Sequence, residues 1–366
     1  MNILHLIHGR SFTGQAASGL LDVRALNACG HRAWIGAQSG TALEHGCRAQ
    51  DVPFVGGFKQ GRGLARILNA RHDLKRLRAL AHELDLDIIH VHRSADELLA
   101  DVAFGKHARR PLRVRSWHRD PRAVPAYVLA RRARSGRAFC CLAREHAAFL
   151  HQIGATRVAY VAPGVDTKFF KPTALVEPTC PLRIGMVGRM KLHQDRGHRA
   201  FLDILGRLDG STRWCARIIG HGEGIDVLMD CVKTHPHQKR ILVTYQPDDF
   251  AESVASLDVG LVFATGSDGT SRPALEMLAS GVPILVADLP GLRELAEDPT
   301  CGRVLPLEQI DLWVQELHRL LADEPGLRTM QVAARQRAER LYSIKAHGAA
   351  LADFYEKALR EKQQAR

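Results

Sequence analysis

The residues best suited to chemistry lie in one segment, GSDGTSRPALEMLASGVP, which spans residues 266–283. This segment follows a short apolar run, so the pattern predicts a strand, a turn and then a helix. Thr270 or Ser271 can cap the helix, Pro273 fits its first turn, and Gly281 ends it. Because backbone amides and the helix dipole meet at such a helix start, the segment predicts an anion site suited to a diphosphate.

Two acids, Asp268 and Glu276, flank this predicted anion site. A carboxylate suits such a place if it accepts hydrogen bonds from the hydroxyls of a sugar or a ribose. A nucleotide sugar offers both a diphosphate and hydroxyls, and we therefore predict a nucleotide-sugar site. A capped helix with two solvated acids is the alternative. The neighbouring residues assigned to the same site are Gly269, Thr270, Ser271 and Arg272.

The segment resembles glycosyltransferase family 4, retaining enzymes of the GT-B fold, whose pattern is close to E-G-F-G-x-x-x-L-E-A-M-A-x-G-x-P. In this sequence Asp268 replaces the first Glu of that pattern. The resemblance implies that Asp268 contacts the donor sugar and that Glu276 contacts the ribose. The matching positions are Gly269, Leu275, Glu276, Met277, Ala279, Gly281 and Pro283.

A second stretch, residues 183–205, resembles the family's strand followed by G-R-x-x-x-x-K-G-x-x-x-x-L. The resemblance implies that two basic residues neutralise the donor diphosphate, where negative charge develops as the sugar leaves. Arg189 fits the first basic position. The second falls on Arg196, with Lys191 as its rival, and a solvated basic loop is the alternative.

Three weaker matches extend the resemblance along the chain. Gly220 resembles part of a G-x-G turn after a strand, and Tyr245 with Gln246 resembles the loop that lines the base. The stretch PGVDTKFFKP at 163–172 resembles the family's P-x-G-V-D-x-x-x-F-x-P, which marks the domain hinge. Gly14 follows the first strand, where the family carries a Gly-rich loop over the diphosphate; an ordinary strand-to-helix turn is the alternative.

His118 follows a predicted strand and matches the position where the family places a His that faces the donor sugar and the acceptor. A neutral imidazole there can bind sugar hydroxyls or orient the acceptor. We therefore predict His118, Asp268, Arg189 and Arg196 as the catalytic residues.

His90 and His92 have the spacing found in some metal hydrolases, and Asp96 lies nearby, so a zinc site is a minor alternative. Asp85 and Asp87 resemble a metal-binding D-x-D, but they precede a strand, which indicates a turn. We therefore expect no metal and no other cofactor, with a nucleoside diphosphate sugar as donor substrate.

Short β-like runs alternate with amphipathic helical stretches, a pattern typical of parallel sheets covered by helices. The predicted fold is α/β: GT-B, with two Rossmann-like doubly wound domains facing a central cleft and a C-terminal helix that crosses back to the first domain. Strands are expected near 2–8, 32–38, 52–56, 87–92, 112–118, 137–143, 157–163, 182–187, 213–219, 241–245, 259–264 and 283–288. The expected domains are 1–163 for the acceptor, joined by a helix at about 345–366, a linker at 164–181, and 182–344 for the nucleotide sugar.

The chain is basic, with a formal net charge of +12. Residues 59–78 hold seven Lys or Arg against one acid, and residues 106–137 hold eleven against one. Both clusters lie in the acceptor domain, which favours an anionic acceptor or an anionic membrane surface over nucleic acid. A solvated face is the alternative for 59–78. Since no run approaches the roughly 20 apolar residues of a membrane span, we expect a cytoplasmic protein with peripheral contact to the membrane.

Together these features predict a metal-independent, retaining glycosyltransferase of the hexosyltransferase type. It would move a sugar from a nucleoside diphosphate donor to a hydroxyl of a cell-surface glycan or a lipid-linked, lipopolysaccharide-like acceptor. Two alternatives share the fold: a nucleotide-sugar-binding protein without transferase activity, and a nucleotide-sugar epimerase. A nucleic-acid-binding protein is a further alternative that rests on charge only.

Overall fold

The computed structural model describes residues 1–7, 9, 13–61, 64–105, 111–118, 120–133, 136–173, 182–191, 197–263 and 272–364. The chain divides into two compact units. The first unit comprises Met1–Gly164 and Ile344–Arg366, and the second comprises Val165–Ser343. Of the expected linker, residues 174–181 lie outside the described part.

The described residues of the first unit form a parallel sheet of seven strands in the order β3-β2-β1-β4-β5-β6-β7. The strand order therefore reverses between β1 and β4. The strands are β1 (Asn2–Leu6), β2 (Arg32–Gln38), β3 (Phe54–Phe58), β4 (Ile88–Val91), β5 (Leu112–Trp117), β6 (Ala138–Cys141) and β7 (Arg157–Tyr160). The helices between them are α1 (Gly14–Ala28), α2 (Ala42–Ala49), α3 (Leu64–Glu83), α4 (Ser94–Phe104), α5 (Ala126–Ala133) and α6 (Arg144–Gln152).

The described residues of the second unit form a parallel sheet of six strands in the order β10-β9-β8-β11-β12-β13. Here the order reverses between β8 and β11. The strands are β8 (Leu182–Arg189), β9 (Trp214–His221), β10 (Ile241–Tyr245), β11 (Val259–Val262), β12 (Ile284–Ala287) and β13 (Gly302–Leu305). The helices are α7 (His198–Gly206), α8 (Ile225–Lys233), α9 (Phe250–Ala255), α10 (Arg272–Ala279), α11 (Leu292–Ala296), α12 (Ile310–Ala322) and α13 (Glu324–Arg337).

The last helix, α14 (Ile344–Gln364), belongs to the first unit rather than to the second. Its residues Leu351, Phe354 and Tyr355 are buried in one core cluster with Ile3 of β1 and Leu20 of α1. The helix thus supplies part of the apolar core that covers one face of the first sheet.

The predicted α/β architecture is confirmed, and each of the twelve strands expected from the sequence has a counterpart in the structure. The sequence analysis missed the edge strand β13. This strand has only four residues, Gly302–Leu305, and its central apolar residue Val304 gives too short a pattern to stand out. Parallel pairing with β12 fixes it in place.

Replacing Leu351 with Ala should destabilise the first unit, because Leu351 is 1% exposed in the core that α14 shares with β1 and α1. We expect the free energy of unfolding to fall by about 3 kcal/mol, measured by urea unfolding followed by circular dichroism. The exposed Lys357→Ala on the same helix is the control, with a change within about 0.5 kcal/mol. Equal effects of the two variants would contradict the placement of α14.

Candidate functional site

In the second unit, two candidate segments meet where the strand order reverses. Arg189 is the last residue of β8, and α10, which begins at Arg272, is the next described element after β11. Strands β8 and β11 are neighbours, since Val259 pairs with Ile184. In open parallel sheets, ligands bind outside the carboxyl ends of the strands at such a reversal.

Glu276 lies within α10 and is 6% exposed. Burial raises the pKa of its carboxyl group, while the Arg272 guanidinium opposes this shift. Arg272 donates a hydrogen bond from Nη2 to Oε1 of Glu276 at 3.2 Å, one helical turn away. A carboxyl group withdrawn from water in this way forms stronger hydrogen bonds with a ligand than a solvated one does.

Arg189 and Lys191 place positive charge at the end of β8. The side chain of Arg189 is 55% exposed and lies 3.5 Å from the equally exposed Glu223. Hydrogen bonding to its own backbone amide lowers the pKa of Glu223, and the charges of Arg189 and Lys191 lower it further. An exposed ion pair of this kind holds its partners weakly, so an anionic ligand can compete for Arg189.

Gly220, Tyr245 and Gln246 lie together at the same edge of the second sheet. Gly220 is in β9, not in the turn after it as the sequence suggested, and it pairs with Gly188 and Tyr245 on the two neighbouring strands. A Cβ atom at position 220 would collide with the carbonyl oxygen of Gly188, so only Gly fits. The Gln246 amide donates to the Gly220 carbonyl at 2.8 Å.

Several predicted site residues lie outside the described residues. They are Arg196, Asp268, Gly269, Thr270 and Ser271. The predicted helix beside them is present: Pro273 lies in the first turn of α10, and Gly281 follows its end.

In the first unit, Gly14 begins α1 directly after Thr13, whose Oγ1 accepts a hydrogen bond from the Ala16 amide at 3.3 Å. Arg93, just after β4, donates from Nη2 to the same Oγ1 at 3.3 Å. This hydrogen bond joins the start of α1 to the segment that follows β4, at the point where the strand order of the first sheet reverses. Among the described residues, nothing lies within 4 Å of a Cβ atom built at Gly14, so packing does not account for this Gly.

His118 directly follows β5 and is 7% exposed. Its Nε2 lies 3.2 Å from Nδ1 of His92, which follows β4. His118 is therefore not an isolated side chain but a member of a buried group of histidines.

The same buried group includes His5 and His90, and the carboxylate of Asp22 lies beside it. The sequence did not indicate that these residues lie together. Ligand atoms of His5, Asp22, His90 and His92 all lie within 4.8 Å of one another, so this set, rather than one with Asp96, is the group of described residues that could hold a metal ion. His5 pairs directly with His90 in the β1–β4 register. A doubly wound sheet commonly places its first and fourth strands side by side, so His5 in the first strand and His90 in the fourth were the signal that could have revealed this set.

Comparison with known proteins finds glycosyltransferases that are similar to part of this chain. Residues 181–323 match the model of the family described as Glycosyl transferases group 1. The chain is 27% identical over 218 residues to the MMP alpha-(1->4)-mannosyltransferase of Mycolicibacterium hassiacum, which covers 55% of this chain and 48% of that protein. It is 33% identical over 113 residues to the D-inositol 3-phosphate glycosyltransferase of Streptomyces bingchenggensis, over 31% of this chain and 24% of that protein. The matches thus span less than half the length of these relatives.

Solved structures of similar shape cover nearly the whole chain. A glycosyltransferase from Rickettsia africae has a TM-score of 0.82 at 15% identity, covering 98% of each chain. HepE of Anabaena in complex with UDP has a TM-score of 0.79 at 15% identity, over 98% of this chain and 100% of that one. The lipopolysaccharide outer core galactosyltransferase WaaB has a TM-score of 0.70 at 16% identity, over 99% and 100%. The chain therefore has the GT-B fold, and its residues 181–323 match the glycosyl transferases group 1 model.

The buried histidines should make the first unit sensitive to mild acid. Burial lowers the pKa of His5 to about 4 and also lowers those of His90 and His92 well below 6.5. These side chains stay neutral in the folded protein but gain protons in the unfolded chain below about pH 6.5. Unfolding therefore becomes more favourable as the pH falls from 6.5 towards 4, by about 3 kcal/mol for His5. His347 acts in the opposite sense, because its contacts with Asp22 outweigh burial and raise its pKa.

Urea unfolding at pH 7, 6, 5 and 4.5 measures this effect. The variant His5→Asn should show a shallower loss of stability with falling pH than the native protein, whereas the exposed His45→Asn should match the native protein. A native stability that is constant or rises between pH 6.5 and 4.5 would contradict the burial of neutral histidines.

Proposed function

We propose that the protein is a glycosyltransferase that binds a nucleoside diphosphate sugar in its second unit and transfers the sugar to a hydroxyl group. The observation that carries this proposal is the buried carboxyl group of Glu276 in α10, the helix that comes after β11, whose neighbouring strand β8 ends at Arg189. A carboxylate that accepts hydrogen bonds from hydroxyls and a cation that attracts phosphate together suit a nucleotide sugar better than either group does separately.

In this proposal each candidate residue contacts a different part of the donor. Glu276 binds ribose hydroxyls, Asp268 binds the sugar, and Arg189 with Arg196 or Lys191 neutralises the diphosphate that leaves. These cations supply the charge that a metal ion would otherwise provide, and we propose catalysis without a metal.

The remaining second-unit residues complete the donor site. Gly220, Tyr245 and Gln246 line the base, and Gly269, Thr270, Ser271 and Arg272 surround the diphosphate. In the first unit, Gly14 approaches the reacting sugar and His118 orients the acceptor. We propose retention of configuration at the anomeric carbon, which rests on the resemblance to family 4, and we assign no nucleophile.

For the acceptor we propose a cell-surface glycan or a lipid-linked precursor, as the similar fold of a lipopolysaccharide galactosyltransferase supports. The basic cluster at residues 106–137 gives less support for an anionic acceptor than its charge suggested. Five of its eleven cations form ion pairs with acids of the first unit, and the side chains of the other six lie outside the described residues. The paired residues are Arg113, Arg115, Arg122, Arg132 and Arg137.

Helix α3 offers a different surface for contact with a membrane. Its residues Leu64, Ile67 and Leu68 are 70%, 70% and 72% exposed, and the exposed Arg71 and Lys75 continue the same stripe along the helix. Exposed apolar side chains beside cations suit the interface of an anionic bilayer. No helix within the described residues is long and apolar enough to cross a membrane. We propose that the protein is cytoplasmic and contacts the membrane peripherally through α3.

Replacing Glu276 should weaken binding of UDP or GDP, whichever nucleotide the native protein binds in a thermal-shift screen. We expect Glu276→Ala to weaken binding about 10- to 100-fold, because hydrogen bonds to a charged group are lost. The nucleotide affinity of Glu276→Gln, which keeps one acceptor oxygen, should lie between those of the native protein and Glu276→Ala. Isothermal titration calorimetry measures the change, with the exposed Glu308→Ala in the same unit as control. Unchanged affinity in Glu276→Ala would remove the basis of the proposed site.

Product analysis separates the proposed activity from its two alternatives. Radiolabelled nucleotide sugars are incubated with and without a membrane extract that supplies acceptors. Transfer of label to the extract supports the glycosyltransferase. A new nucleotide sugar formed without acceptor identifies an epimerase, and binding with no product from any donor identifies a protein without turnover.

The α3 surface predicts binding to vesicles that contain phosphatidylglycerol. The triple variant Leu64→Ser, Ile67→Ser, Leu68→Ser should reduce cosedimentation with these vesicles by about tenfold or more, since each leucine-sized side chain contributes about 1.5–3 kcal/mol when buried. The control replaces Leu98 and Val102, which are 50% and 53% exposed on α4, with Ser. Equal loss in both variants, or equal binding to phosphatidylcholine vesicles, would contradict the assignment of α3.

A further inference from the structure

The buried histidines of the first unit form a continuous chain of hydrogen bonds that starts at His118. Each of the three inner rings, those of His92, His5 and His90, has a neighbour at both of its nitrogens. The successive pairs are His118 Nε2 with His92 Nδ1 at 3.2 Å, His92 Nε2 with His5 Nδ1 at 3.1 Å, His5 Nε2 with Tyr355 Oη at 3.2 Å, Tyr355 Oη with His90 Nδ1 at 2.5 Å, and His90 Nε2 with Ser116 Oγ at 2.7 Å.

Such a chain couples the tautomers of its members. A neutral imidazole has one N–H donor and one acceptor nitrogen, so a ring that accepts from one neighbour must donate to the next. Burial lowers the pKa of His5, His90 and His92, which keeps these rings neutral at pH 7. Because His118, His92 and His5 bond directly to one another, these three rings have only two arrangements, one with all three protons on Nδ1 and one with all three on Nε2.

Asp22 of α1 distinguishes the two arrangements. Its Oδ2 lies 3.8 Å from Nδ1 of His5, and its Oδ1 lies 2.8 Å from Nε2 of His347. The carboxylate attracts a proton on Nδ1 of His5 and would repel a lone pair there. With Nδ1 of His5 protonated, His92 and His118 must also carry their protons on Nδ1. Nε2 of His118 then accepts from His92.

The approach of α1 to this chain depends on Gly19. A Cβ atom at that position would lie 3.2 Å from Nε2 of His92 and 2.6 Å from Cδ1 of Ile7. The absence of a side chain lets the helix come close enough to bring Asp22, one turn further on, beside His5.

The geometry favours this hydrogen-bonded chain over a metal site built from His5, Asp22, His90 and His92. The rings of His90 and His92 stack with centroids 4.7 Å apart and planes inclined by 10°. An imidazole binds a metal ion within its own ring plane, and two stacked, nearly parallel planes do not meet at one ion. Both nitrogens of His90 also have hydrogen-bond partners in Tyr355 and Ser116.

We propose that His92, His5 and Asp22 are positioning residues that hold His118 as the Nδ1–H tautomer, so that Nδ1 of His118 is a hydrogen-bond donor and not an acceptor. The tautomer assignment stands on the geometry of the first unit. A role of this tautomer in sugar transfer rests on the proposed function.

The tautomers can be measured by long-range ¹H–¹⁵N correlation spectra of the full-length protein labelled with ¹⁵N-histidine at pH 7. We expect His5, His92 and His118 as Nδ1–H tautomers. Asp22→Asn keeps the size of the side chain but removes its charge, and it should lower the Nδ1–H population of His118. The control is Asp73→Asn, a buried carboxylate that accepts from the Lys59 and Gln60 amides instead, and it should leave the His118 spectrum unchanged.

A native His118 with its proton on Nε2, or an unchanged His118 tautomer in Asp22→Asn, would overturn the proposal, as would one equivalent of a transition metal in the native sample. If a donor is turned over, Asp22→Asn should also lower kcat about tenfold or more without changing the KM of the donor. The expected tautomers together with no transfer from any donor would support the histidine chain and contradict the proposed function.

Discussion

Parallel strands bring their carboxyl ends to one edge of a sheet, and the candidate residues of both units depend on this constraint. The strand order reverses between β1 and β4 in the first unit and between β8 and β11 in the second. Loops that leave the two strands of a reversal turn in opposite directions, which opens space for a ligand. Gly14 lies beside the first reversal, with His118 at the end of the next strand, and Arg189 lies at the second.

Much of this arrangement is predictable from sequence because it is local. A strand, a turn and a capped helix are each encoded by neighbouring residues, and Glu276 takes its place in α10 from that pattern. The contacts that the sequence analysis missed join distant segments. His5 and His92 are 87 residues apart, and Arg137 and Glu97 are 40 apart. Local periodicity carries no information on such pairs, and five of the eleven cations in the apparent basic cluster at 106–137 proved to lie in ion pairs.

The C-terminal helix α14 gains a role beyond packing from these long-range contacts. Its Tyr355 lies between His90 and His5 in the hydrogen-bonded chain. Its His347 is hydrogen-bonded to the carboxylate of Asp22, the group that favours one tautomer of His5. Buried polar groups are costly unless every member has a partner. Each ring between His118 and Ser116 has a partner at both nitrogens, and the carboxylate of Asp22 favours the arrangement with the proton of His118 on Nδ1. Residues far apart in sequence thereby determine the chemistry of a side chain at the sheet edge.

The central claim is that the second unit binds a nucleoside diphosphate at the carboxyl edge of its sheet. Hydrogen–deuterium exchange of the full chain with and without saturating UDP or GDP tests it most directly. We expect slower exchange at the ends of β8 and β9 and in the first two turns of α10, the segments that hold Arg189, Gly220 and Glu276. No protection with either nucleotide, or protection confined to the first unit, would contradict it.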